Sequence, residues 1–300
     1  MSDDFLKYPA VVHESVSREE SQRPLLRVNG LRKYFPVYGK GLVRKKIDEV
    51  RAVDDISFDL YRGETLGLVG ESGSGKTTCA RVILRALEAT AGSVFFDSSA
   101  FGEVNLMQVS EKHLKLLRRE MQMVFQDPFS SLNPRMTVGD IIGEPLRIHR
   151  MASGKELDGK VIDLLEKVGL KREHMERYPH AFSGGQRQRI GIARALIMKP
   201  SLIVADEAVS ALDVSVQAQV INLLQDLQDE FDLTTIFVAH DLSVVRHICD
   251  RVAVMFQGKI VEIGPTESIF EQAEHPYTRR LLASIPSTDP DVRLDFSAAL

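Results

Sequence analysis

The sequence predicts an α/β fold, a parallel sheet with helices on both faces. Three observations carry that prediction. Short apolar runs of strand type, TLGLVG at 65–70, SLIVAD at 201–206 and TTIFVAH at 234–240, each end in glycine or a polar residue. Segments with apolar residues at helical spacing separate them. A glycine-rich stretch, Gly70–Thr77, lies between the first run and the helix after it. In open parallel sheets ligands bind beyond the carboxyl ends of the strands, which is where these polar ends fall.

The elements follow in order. Residues 1–24 form a polar, acid-containing leader without the basic-then-apolar layout of a secretion signal. LLRVNGLRKYFPV (25–37) and VRAVDDISFDLY (50–61) alternate in part and predict strands, with a Gly- and Lys-rich loop between them. Lys76–Glu88 predicts a helix on Ala80, Val82, Ile83 and Leu87. Residues 112–126 read as a helix and then a strand, MQMVF, after which Pro128, Asn133 and Pro134 break the pattern. Val161, Leu164, Leu165 and Val168 make one helix face, stopped at Gly169. The SGGQ at 183–186 opens another helix. Val216, Val220, Leu223, Leu224, Leu227 and Phe231 line a long one. The tail after Pro286 is polar and without period.

Composition narrows the class. With 44% hydrophobic and 27% charged residues the 300-residue chain reads as globular. A net charge of −4 gives no global pull toward nucleic acid. No apolar run is long enough to cross a bilayer, so any membrane role is expected to pass through a partner. The two cysteines, Cys79 and Cys249, are far apart, which argues against a disulfide framework or a cysteine metal site. The basic loop Lys40–Lys46 reads as solvated.

Gly70-Glu71-Ser72-Gly73-Ser74-Gly75-Lys76-Thr77 fits GxxxxGK[ST], with Thr78 continuing into the helix. A triphosphate needs many donors converging at short range. Backbone N–H groups supply them only where side chains stay out of the way, hence the glycines. The helix N-terminus adds its dipole. Lys76 then reaches the β- and γ-phosphates, and Thr77 places its hydroxyl on Mg²⁺. The bland alternative is a glycine-rich turn without phosphate. Asp206 and Glu207 close the second apolar run: Asp206 can hold hydrated Mg²⁺, and Glu207 can orient or deprotonate water. The pair would also suit a helix cap or a solvated turn. His240 ends the third run and could bridge γ-phosphate and water, or be satisfied by backbone. Gln126, after MQMVF, could see both Mg²⁺ and the water.

Taken together these elements resemble the ABC ATPase family. In that family's order stand the P-loop Gly70–Thr77, a Q-loop at Gln126 and the signature Phe182-Ser183-Gly184-Gly185-Gln186. The Walker B run Leu202–Asp206 with Glu207, the D-loop Ser210–Asp213 and the switch His240 follow. The resemblance covers about residues 25–285, and SGGQ is its discriminating element; no guanine-reading NKxD is present. It implies a P-loop (RecA-like) parallel sheet with an antiparallel β subdomain and an inserted α-helical subdomain at about 127–185. The ATPase domain would run over 25–270, followed by a C-terminal segment, 271–300. It also implies that Ser183, Gly185 and Gln186 meet the γ-phosphate held by a second ABC ATPase subunit, identical or different. Phe35, or failing it Tyr34, would stack on adenine; both as core aromatics is the alternative.

A narrower likeness, to ATP-binding subunits of oligopeptide and dipeptide importers, rests on Val124–Pro134, on Tyr178-Pro179-His180 and on His275-Pro276-Tyr277-Thr278. It implies two transmembrane permease subunits touching the Gln126–Pro134 segment, an extracytoplasmic solute-binding protein, and a peripheral place at the cytoplasmic membrane face. Relatives in this branch carry peptides, metals or glycosides. Two departures stand out: Phe182 replaces the usual Leu, and Ala208-Val209 stand for Pro-Thr. No cysteine follows Cys249, so the iron–sulfur cluster of some members is not expected.

Overall fold

The computed structural model describes residues 4–13, 23–39 and 46–284. From the N-terminus a helical turn, Asp4–Lys7, precedes strand β1 (Val11–Val12), β2 (Leu26–Tyr38), β3 (Lys46–Leu60) and β4 (Thr65–Val69). Helix α1 (Lys76–Ile83), β5 (Ala91–Ser98), β6 (Gly102–Asn105), α2 (Glu111–Leu117) and β7 (Met121–Val124) come next. The middle of the chain is helical, α3 (Val138–Ile148), α4 (Gly154–Lys167) and α5 (Gly184–Leu196). β8 (Leu202–Asp206), α6 (Val214–Phe231), β9 (Thr234–Val238) and α7 (Leu242–Ile248) restore the alternation. β10 (Arg251–Phe256), β11 (Lys259–Pro265), α8 (Thr266–Glu271) and α9 (Pro276–Ala283) complete it.

These elements form two compact units, Met1–Val109 with Phe237–Leu300, and Ser110–Ile236. In the first unit, β4 pairs in parallel with β10, β10 antiparallel with β11, and β11 in parallel with β1. A second, antiparallel sheet runs β3-β2-β5-β6. In the second unit β7 and β8 pair in parallel, Met121 opposite Leu202. There α3 packs on α4 and α5, and α5 on α6. Strands β4, β8 and β9 are buried at every position, as expected of parallel strands covered on both faces.

Residues 25–270 contribute to both units, and the stretch 127–185 lies inside the second. Some local boundaries differ from expectation. Part of the presumed loop after residue 39 is strand: Lys46 and Asp48 pair with Tyr38 and Val37, extending the β2–β3 hairpin. The rest of that loop, residues 40–45, and the tail from residue 285 lie outside the described residues. Residues 4–13 of the expected leader are folded. Val11 and Val12 add a strand beside Glu262 and Ile263, and His13 Nε2 lies 2.7 Å from the fully buried Glu262 carboxylate. Two valines are too short a run for a sequence pattern to register; what holds them is the edge of β11.

Candidate functional site

In the first unit the Gly70–Thr77 loop joins β4 to α1 as its glycines demand. Gly75 has φ +105°, and a Cβ there would lie 2.0 Å from the Ala52 carbonyl oxygen. Gly70, at φ +145°, would meet the Met255 oxygen at 2.1 Å. Only glycine fits either position. Helix α1 has no side-chain cap at its N-terminus. Lys76 is buried and folds back over that concavity: Nζ donates to Gly70 O (2.7 Å), Glu71 O (2.9 Å) and Ser74 Oγ (3.4 Å). A buried ammonium held by carbonyl and hydroxyl oxygens of a phosphate-shaped loop is poised to exchange them for phosphate oxygens. Ser74 is buried; Glu71, Ser72 and Gly73 are exposed, and Thr77 and Thr78 are half-buried at the start of α1.

His240, also in the first unit, follows β9 and is exposed, while Asp241 beside it caps α7 by accepting the Ser243 amide. On the β2–β3 hairpin Phe35 is 38% exposed, with Lys33 Nζ 4.9 Å from its ring centre. The Tyr34 hydroxyl donates to Asp54 at 2.5 Å and its ring lies under Arg51. Neither is a core aromatic, and Phe35 has the freer face.

The second unit carries the acidic residues. Asp206 closes β8 and is buried. Glu207 then sits at φ +47°, left-handed for a residue with a side chain. Such conformations cost on the order of 1–3 kcal/mol and concentrate where function needs a side chain aimed. The Ser210 amide and hydroxyl both donate to the Glu207 carbonyl, at 3.1 and 3.0 Å, and close the turn. Gln126 Nε2 donates to Glu207 Oε2 at 2.6 Å. That bond leaves the Gln126 amide oxygen as the atom able to take a cation.

The signature opens α5. Ser183 is the N-cap: its Oγ accepts the Gln186 amide (3.3 Å), and the Gln186 side chain accepts the Ser183 amide (3.1 Å). Ser183 is exposed, and Gly185 is forced, because a Cβ there would meet Val216 Cγ1 at 2.3 Å. Three residues further along α5 escaped the sequence reading. Gln188 donates to Phe125 O (3.4 Å) and Arg194 to Ser131 O (2.6 Å), while Arg187 lies 4.2 Å from the Phe129 ring centre. Helix α5, which carries the signature at its N-terminus, thus grips the segment after Gln126 along its length. The seven-residue spacing of Arg187 and Arg194, one face of the helix, was the available signal.

Both cysteines are buried, and burial pushes the Cys79 thiol up to about 12 and Cys249 upward as well, so both are unreactive packing groups. Among the described residues no helix is long and apolar enough to cross a membrane.

Comparison with known proteins agrees with this geometry. The ABC transporter family matches residues 53–210, and the oligopeptide/dipeptide transporter C-terminal region matches 261–298. The oligopeptide transport ATP-binding protein OppF of Bacillus subtilis is 55% identical over 89% of this chain and 84% of its own length. The glutathione import ATP-binding protein GsiA of Escherichia coli O6:H1 is 50% identical over 95% of this chain, which spans 45% of that protein. Among solved structures, the ATP-binding cassette MJ0796, a dimer in a post-hydrolysis state bound to ADP and Pi, matches at TM-score 0.69 and 26% identity, over 80% of this chain and 98% of that one. The cbiO1 protein from Clostridium perfringens, part of the transporter complex cbiONQ, matches at the same score and identity over 86% and 95%. The chain is therefore a member of the ABC transporter family, an ATP-binding cassette that carries the oligopeptide/dipeptide transporter C-terminal region.

Proposed function

We propose that this chain is the ATP-hydrolysing subunit of an importer for peptides or a peptide-like solute such as glutathione. The observation that carries the reading is Glu207, held in a left-handed conformation at the end of a buried strand with Gln126 bonded to its carboxylate. Lys76 and the loop amides bind the β- and γ-phosphates. Glu207 orients the attacking water and accepts its proton, and His240 bonds the γ-phosphate as charge builds there. Phe35 stacks on adenine.

The donor set fits Mg²⁺: the Thr77 hydroxyl, the buried Asp206 carboxylate and the Gln126 amide oxygen are all hard oxygen ligands. When bound, the ion neutralises charge on the phosphates. Ser183, Gly185 and Gln186 contact the γ-phosphate held by a second cassette, so ATP closes the dimer and hydrolysis opens it. Two permease subunits receive that motion at Gln126–Pro134, on the cytoplasmic face of the membrane, and an extracytoplasmic binding protein delivers the cargo. Resemblance to OppF and GsiA supports peptide or glutathione over metal or glycoside.

The test is Glu207→Gln in the assembled transporter. Turnover is expected to fall about 100- to 10,000-fold with ATP binding retained and a dimer trapped. Hydrolysis at the wild-type rate would remove Glu207 from the mechanism.

A further inference from the structure

The phosphate-binding loop is held from below by the C-terminal segment of the same unit. Tyr277, in the first turn of α9, is 1% exposed, and its hydroxyl accepts the Glu71 amide at 3.1 Å. The ring has no freedom to leave. It lies 4.3 Å from the Phe256 ring and 5.7 Å from Phe5, and Phe5 packs edge-on against Phe256 at 5.6 Å. Just after Phe256, the Gly258 amide donates to Ser74 O at 2.9 Å. The loop is therefore tied at two backbone points, Glu71 and Ser74, by groups on either side of one aromatic cluster.

The two bonds at Glu71 are unlike. Its carbonyl accepts from Lys76 Nζ, a bond that phosphate displaces. Its amide is held by Tyr277, a bond separate from those that Lys76 makes to the loop. From this we infer that Tyr277 is a positioning residue for nucleotide binding. It keeps the first turn of the loop in its binding-competent shape after Lys76 lets go, and residues 4–8 and 275–283 thereby set the affinity for ATP. The inference rests on the loop being the ATP site.

The mechanism makes a specific demand. Preorganising the loop stabilises bound ATP and the transition state alike, so losing it raises KM or Kd and spares kcat. A residue that merely stabilised the fold would lower the melting temperature and the active fraction at unchanged Kd. Tyr277→Phe keeps the ring and removes one hydrogen bond. In the full-length chain, titration with ATP is expected to show a roughly three- to tenfold weaker Kd. In the assembled transporter kcat at saturating ATP should stay within about twofold of wild type. A Kd within about 1.5-fold of wild type, or a fall in kcat at unchanged KM, would overturn the inference. Amide exchange in the wild-type chain tests it without any variant. Glu71 N–H is expected to be protected relative to the neighbouring Ser72 and Gly73, and equal exchange at all three would overturn it. A wild-type chain that binds no ATP would overturn the ATP-site reading and this inference with it, whereas normal wild-type binding with an unaffected Tyr277→Phe overturns the inference alone.

Discussion

Two helix N-termini in this chain have glycine at or next to the cap, Gly75 before α1 and Gly184-Gly185 at the start of α5, and they are finished in opposite ways. At α1 no side chain caps the helix, Gly75 stands at φ +105°, and the loop's own lysine is folded into the concavity. At α5 Ser183 and Gln186 cap each other reciprocally and the serine faces solvent. The first terminus is open only in that no side chain caps it, and its loop is supported from outside, by Tyr277 and Gly258. The second satisfies its own donors and can be displayed on a surface. An open terminus suits permanent nucleotide binding; a self-capped one suits a contact made and broken in each cycle. A capped serine still has its hydroxyl proton to offer, because the cap uses only its lone pair.

Substitution at the open terminus should have the largest effect. Gly75→Ala places a methyl 2.0 Å from the Ala52 carbonyl and holds an L-residue at φ +105°. The left-handed region alone costs about 1–2 kcal/mol for a residue with a Cβ. The clash with backbone adds to it, so the loop must deform. ATP affinity is expected to fall about 100-fold or more by equilibrium titration, a loss of about 2.7 kcal/mol. The rest of the unit stays folded by circular dichroism. Retained affinity would mean that the loop's shape is not what binds.

At the self-capped terminus the same measurement should show nothing. Ser183→Ala removes an N-cap worth about 1 kcal/mol and lowers the melting temperature modestly. ATP affinity of the isolated chain is expected to be unchanged. The ATPase rate of the assembled dimer is expected to drop roughly tenfold or more, as for a lost donor to developing charge. Loss of affinity in the isolated chain would place Ser183 at its own nucleotide and erase the distinction between the two termini.

The two helix starts are legible in the sequence, but the reciprocal cap at Ser183 and Gln186 is not read there. The buried strands, the loop between β4 and α1, and the acidic end of β8 follow from local pattern: hydrophobic runs, glycine spacing and strand ends. Glycine at 70, 75 and 185 is explained by neighbours distant in sequence, Met255, Ala52 and Val216, which no local rule can identify. The supports were illegible for the same reason. Tyr277 lies 206 residues from Glu71, and His13 lies 249 residues from Glu262. His275-Pro276-Tyr277-Thr278 could be noticed as a motif, but only packing shows that its tyrosine meets the phosphate loop. The turn at Asp4–Lys7 and the two-residue strand β1 carry too little pattern to be read, being held by tertiary contacts.

The support beneath the open terminus has a weakness that the self-capped one lacks, and acid should reveal it. His275 is 1% exposed and caps α9, its Nδ1 accepting the Tyr277 amide at 3.2 Å. Burial lowers its pKa below the usual 6.5, with the nearby Glu262 opposing. Protonation would also put a hydrogen on the atom that accepts the cap. Because the folded value is the lower one, the unfolded chain takes up the proton first. His275 therefore contributes stability above about pH 6.5, and that contribution is lost as pH falls from there toward its folded pKa. Burial lowers His149 and His174 in the second unit too, so they act in the same direction. Glu262 responds lower down. Burial tends to raise its pKa, but the Glu274 and His275 amides and His13 together hold it below the usual 4.5. Its contribution is complete above about pH 4.5 and is lost as pH drops through its folded value. Urea midpoints should thus fall in two steps, the first beginning near pH 6.5. Since asparagine can serve as an N-cap without titrating there, His275→Asn should flatten the first step by at most about 1.4 kcal/mol per pH unit and leave the second in place. An unchanged first step would assign it to His149 and His174, in the unit that carries the signature rather than the one that carries the phosphate loop.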